Sequence, residues 1–175
     1  MSANGHPHRQ LDELEIGALL VSGGRTITET DVVSFAALTG VWHPQHSDAQ
    51  WARSSRFGER VAHGMLLISY AIGLLPLDPE RVVALRGLDA LVFKRPVRIG
   101  DTIHVEARVD GVRPIDDDVA IADLGLRIKN QRGATVARAT AHAVWRHEPA
   151  PSEPEAVRRR TEPGGTEPER QEVFL

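Results

Sequence analysis

Between Met65 and Leu75 the chain reads MLLISYAIGLL, a segment apolar on nearly every side, and after it the hydrophobic period changes to two. An all-round apolar helix is a buried helix. At about 1.5 Å per residue it is too short to cross a bilayer and suits a protein core. Pro76 stops it. Downstream, VALRGLDALVFKRPV, DTIHVEARVDGV, DVAIADLGLRIKN and ATVARATAHAVWRH alternate apolar and polar residues, separated by the turn-like RIGD, RPIDDD and NQRGA. Four such strands in succession predict an antiparallel sheet with one solvated face. The expected fold class is therefore α+β, with the sheet wrapped around one buried central helix.

The segments before that helix are smaller. ALLVSGGRTIT has strand character with a Gly-Gly turn. TETDVVSFAALTG carries the marks of a helix, with Thr28 or Thr30 as N-cap, acids in the first turn and Gly40 at the end. Val32, Phe35, Ala36 and Leu38 to Thr39 form its expected apolar face. A second short helix is predicted in SDAQWARSSRFG, capped by Ser47 or Asp48. Residues 1–10 read as a loose tail, 11–147 as one folded domain, and 148–175, rich in Pro, Glu and Arg, as a flexible or surface-draped extension.

Composition narrows the function. The 175 residues carry a net charge of −3, which argues against nucleic acid or an anionic membrane as partner. The chain has no cysteine, which excludes disulfides, thiolate metal sites and cysteine nucleophiles. The polar start MSANGHPHRQ lacks the apolar stretch of a signal peptide, so a cytoplasmic location is expected.

The chemistry-bearing stretch is LTGVWHPQHSDAQWA, where His43 and His46 flank Pro44 and Gln45. With FGERVAHGMLLIS and FKRPVRIGDTIHVEARV it resembles, over about residues 12–147, the MaoC-like (R)-specific enoyl thioester hydratase/dehydratase family of the hotdog fold. The resemblance implies a long helix wrapped by an antiparallel sheet, a dimer, and hydration of trans-2-enoyl thioesters or its reverse. The family pattern Gly-Asp-x-Asn-Pro-x-His supplies an acid and a histidine for the proton transfers at the α-carbon and at the water. A backbone N–H at the start of the central helix meets the developing enolate oxygen.

Carried over by position, His46 matches the catalytic histidine, His43 stands where the family often has Asn, and Gly64 supplies the oxyanion N–H. The aspartate position holds Val41. The expected catalytic set is thus His46, His43 and Gly64, with Val41, Trp42, His63 and Ser69 as substrate-binding residues and neither metal nor cofactor. His104 and His142, alternating on strands, are expected as sheet or surface residues, and Arg53, Arg56 and Arg60 as a solvated helix face. The implied ligand is an acyl thioester of coenzyme A or of acyl carrier protein. Loss of the carboxylate leaves two functional readings. One is altered chemistry with His46 alone or with His43. The other is a non-catalytic subunit or acyl-binding module pairing, as a heterodimer, with a catalytic hotdog partner instead of forming a homodimer.

Overall fold

The computed structural model describes residues 15–147; the expected tail over 1–10 and extension over 148–175 lie outside the described residues. Short strands β1 (Leu19–Val21) and β2 (Arg25–Thr26) lead into α1 (Glu29–Thr39), the helical turn α2 (Pro44–Ser47) and α3 (Ala49–Ser54). The helix α4 (Gly64–Leu74) follows, then the long strands β3 (Val82–Phe93), β4 (Thr102–Pro114), β5 (Val119–Asn130) and β6 (Thr135–Arg146).

The helix ends are chemically specified. Thr28 caps α1 in a capping box: Asp31 N–H donates to Thr28 Oγ1, and Thr28 N–H donates to the Asp31 carboxylate. Gly40 closes α1 in the left-handed conformation, φ 74°, which glycine adopts without a Cβ penalty. Asp48 caps α3, with Oδ1 accepting from the N–H groups of Gln50 at 2.8 Å and Trp51 at 3.0 Å. Val32 and Ala36 of α1 are buried, whereas Leu38 is 85% exposed. Leu38 lies six residues beyond Val32, about 240° around a 3.6-residue helix, and so leaves the expected apolar face.

The sheet is antiparallel, in the order β1-β4-β5-β6-β3, with β2 also paired to β4. Its inner face carries Val105 and Ala107 of β4, Leu124 and Leu126 of β5, and Ala137, Ala141 and Ala143 of β6. The alanines of β6 keep that wall low, and Leu66, Leu67, Ile68 and Ala71 of α4 share the same core. One side of α4 departs from the expectation of burial all round. Met65, Ser69 and Gly73, spaced four apart, are exposed because the sheet curls around only the other side of the helix. The edge strand β3 does not lie beside β4, its sequence neighbour. It crosses to β6, and its register shifts three times, the last between Asp89 and Val92, where Ala90 has φ 50°.

Candidate active site

Two backbone contacts bring the loop before α4 against the exit of β3. Val61 bridges to Arg98, and Ala62 N–H donates to the Val97 carbonyl at 2.8 Å. Between these segments lies a cavity of about 760 Å³. His46, His43 and Gln45 line it from the α2 turn, Trp51 from α3, Gly64 and Met65 from the start of α4, and Phe93 from the end of β3. Pro44 takes the first helical position of α2, which places His43 and His46 on one short, rigid turn.

His46 Nδ1 lies 2.7 Å from the Val61 carbonyl. A carbonyl only accepts, so Nδ1 carries the proton and Nε2 keeps its lone pair. Burial pushes the His46 imidazole below its ordinary value; the Val61 contact opposes this, and neighbouring His63 and His43 add to the lowering. The ring is therefore in its neutral form at neutral pH, with the Nε2 lone pair suited to act as a base. His43 has the opposite arrangement: its Nδ1 accepts from Gln45 N–H at 3.1 Å, which leaves the proton on Nε2. The His43 ring also meets the edge of Trp51, with centroids 5.4 Å apart.

His63 stands behind this pair and is only 3% exposed. Its Nε2–H donates to the Val41 carbonyl at 3.0 Å, and its ring stacks on His46 with centroids 3.8 Å apart. It thus ties the loop backbone at position 41 to the ring of His46. Gly64 begins α4, and no side chain caps that helix terminus. The first amides of a helix have no acceptor within it and carry partial positive charge, which suits a developing oxyanion. A Cβ built on Gly64 would lie 2.6 Å from Phe93 Cζ, so the Phe93 ring rests directly on the helix start.

The structure thus gathers His46, His43 and Gly64 around one cavity. Val41, Trp42, His63 and Ser69 do not line it. Val41 and Trp42 are about half exposed, the Val41 backbone being held by Thr39 Oγ1 at its N–H and by His63 at its carbonyl. Ser69 Oγ donates within α4 to the Met65 carbonyl. Trp51, the other tryptophan of the loop region, contributes the aromatic wall instead. Phe93, Lys94 and Arg95 also line the cavity and were not singled out in the sequence. The signal was present in FKRPV, where strand alternation breaks before Pro96. Among the described residues lining the cavity there is no carboxylate. His142 lies elsewhere, on β6, between Asp123 at 2.6 Å and Asp89 at 2.9 Å.

An antiparallel sheet wrapped around a central helix, with a histidine site at the helix start, defines a hotdog-fold domain. The family profile described as MaoC like domain matches residues 16–126, and the chain belongs to that family. It is 44% identical over 102 residues to protein MaoC of Klebsiella aerogenes; the match takes in 57% of this chain but only 30% of that protein. It is 36% identical over 104 residues to the (R)-specific enoyl-CoA hydratase of Aeromonas caviae, covering 59% of this chain and 75% of that one. The crystal structure of the MaoC-like dehydratase from Rhodospirillum rubrum superposes with a TM-score of 0.71 at 30% identity, over 79% of this chain and 97% of that one.

Proposed function

We propose that the cavity binds an acyl thioester and that His46, without a carboxylate, carries out hydration of the enoyl group or its reverse. One observation carries this reading: the Val61 carbonyl holds the proton of His46 on Nδ1, which leaves the Nε2 lone pair for a cavity that begins at the uncapped start of α4. In hydration, Nε2 takes a proton from water as the oxygen bonds to the β-carbon. The electron pair of the double bond moves toward the thioester oxygen, which the Gly64 N–H stabilises. The imidazolium then returns its proton to the α-carbon, so one group serves as base and acid in turn. His43 Nε2–H donates a hydrogen bond that orients the water. Neither a metal nor a cofactor takes part.

The names of the relatives, hydratases and dehydratases of coenzyme A and carrier-protein thioesters, support this substrate class. The test is a hydration assay on a short enoyl thioester with wild type, Val41→Asp and His46→Ala. Wild type turns over slowly. Val41 itself does not line the cavity, but it holds the family's acid position on the backbone that His63 ties to the His46 ring, and the longer carboxylate of Val41→Asp raises the rate by about 10², the contribution of one restored acid–base group, while His46→Ala abolishes turnover in either background. Binding without turnover in wild type and Val41→Asp alike would overturn the catalytic reading and leave an acyl-binding module that supports a catalytic subunit. A homodimer is part of the proposal. The unpaired edge of β3 with Val83, Leu85 and Val92 exposed, and the open Met65-Ser69-Gly73 side of α4, support it. A stable monomer by light scattering at micromolar concentration would refute it.

A further inference from the structure

The face of the sheet turned away from α4 carries a second cavity, of about 310 Å³. Strand alternation sends Val105 and Ala107 of β4 into the core and Glu106 and Arg108 to this outer face. Arg127 of β5 and Arg138 and Thr140 of β6 line the same cavity. In the β5–β6 register Arg127 stands directly opposite Arg138. Like charges in that position repel and weaken the strand pairing. The carboxylates nearby are already committed. Glu106 lies opposite Arg127 on its other side, but Lys129 Nζ holds it at 2.6 Å. Asp110 is held by Arg108, whose Nε lies 2.7 Å from Oδ1. Among the described residues Arg127 and Arg138 have no carboxylate partner. Gly125 lies between Arg108 and Thr140 in the sheet, and a Cβ built there would collide with the Asp110 carboxylate. The missing side chain lets the Arg108–Asp110 pair lie flat across β5, so the surplus charge of the cavity is that of Arg127 and Arg138. Leu19 of β1 and Ala90 of β3 close its two ends.

We infer that Arg127, Arg138 and Thr140 form a phosphate-binding site on the outer face of the sheet, separate from the His46 cavity. Its ligand is a dianionic phosphate group, free or carried by a small monoester. Two guanidinium forks match the charge of the dianion and give parallel hydrogen bonds to its oxygens, and the Thr140 hydroxyl donates one more. The bound anion also screens Arg127 from Arg138, so binding and sheet stability are coupled. The site is independent of the thioester reading above.

The test is thermal unfolding of the full chain in phosphate against sodium chloride of equal ionic strength, together with calorimetric titration. At about 20 mM phosphate the wild-type Tm rises by about 3–5 degrees. Arg138→Glu sets a carboxylate opposite Arg127. It is therefore at least as stable as wild type without phosphate, and phosphate no longer raises its Tm. Arg127→Gln weakens phosphate binding by about tenfold or more and supplies the readout should Arg138→Glu fail to fold. Titration with inorganic phosphate and with phenyl phosphate identifies the source. Tighter phenyl phosphate assigns a monoester whose organic group meets Leu19, and tighter inorganic phosphate assigns the free anion. No Tm rise in wild type would overturn the site, and so would a rise that both variants retain, since the anion would then sit on other cations. Both variants keep the wild-type affinity for butyryl-coenzyme A; a parallel loss would overturn the separation of this site from the His46 cavity.

Discussion

Replacing Gly64 by Ala tests how the site is built, because it leaves the proposed oxyanion amide in place and changes only the space beside it. Gly64 has a negative φ, so alanine meets no backbone strain there. The new methyl would lie 2.6–2.8 Å from three ring atoms of Phe93. Ordinary carbon contacts are about 3.5–4.0 Å, so the ring must retreat by about 1 Å. Phe93 is already 46% exposed and can swing outward, losing the half of its area that is buried. Full burial of such a side chain is worth about 1.5–3 kcal/mol, so this loss is about 0.8–1.5 kcal/mol. Alanine's better helix propensity returns up to about 1 kcal/mol. Stability therefore falls by less than about 1 kcal/mol, seen as a Tm decrease of a few degrees. Binding suffers more, since the ring that forms the cavity wall has moved: affinity for butyryl-coenzyme A drops by about tenfold or more. Denaturation and calorimetry on Gly64→Ala, Phe93→Ala and the double variant complete the cycle, with a coupling of about 1 kcal/mol in stability. Unchanged binding together with zero coupling would refute the seating of Phe93 on the helix start.

Three further outcomes follow from single groups. Protonation removes the Nε2 lone pair of His46, and burial holds its pKa below 6.5, so kcat/KM for hydration should be level above neutrality and fall only on an acid limb below pH 6.5; a limb above pH 7 would contradict the burial argument. Asp123 and Asp89 raise the pKa of His142 above 6.5, so its contribution is present below that value and lost as pH rises through the folded pKa. In urea titrations, His142→Gln should therefore be less stable than wild type by up to about 1 kcal/mol near pH 6, with the difference shrinking at alkaline pH; a constant difference would exclude the ion pairs as its source. Thr28→Ala removes the side-chain half of the α1 capping box and should lower stability by about 1 kcal/mol, read from the urea midpoint at unchanged m-value.

The features already legible in the sequence are those that short-range physics decides. The apolar run at 65–75 required a helix packed in the core, although not its burial on every side, and alternation required sheet strands. Thr28 or Thr30, Gly40, and Ser47 or Asp48 marked helix ends because each side chain or φ preference acts within three or four residues of its own position; the structure selected Thr28 and Asp48. The VWHPQH stretch, with its family spacing, singled out His46 and showed that the loop has no acid. Tertiary structure decided what those groups meet. Position along the chain does not reveal that β3 pairs with β6, that Phe93 lies on Gly64, or that Lys94 and Arg95 border the same cavity as Arg56. The tautomer of His46 depends on the Val61 carbonyl fifteen residues away, and the environment of His142 on Asp89 and Asp123 of two other strands. Periodicity records which face of an element is apolar, whereas strand order and register choose the partner across the gap, and a one-residue shift in register would give a different set of neighbours.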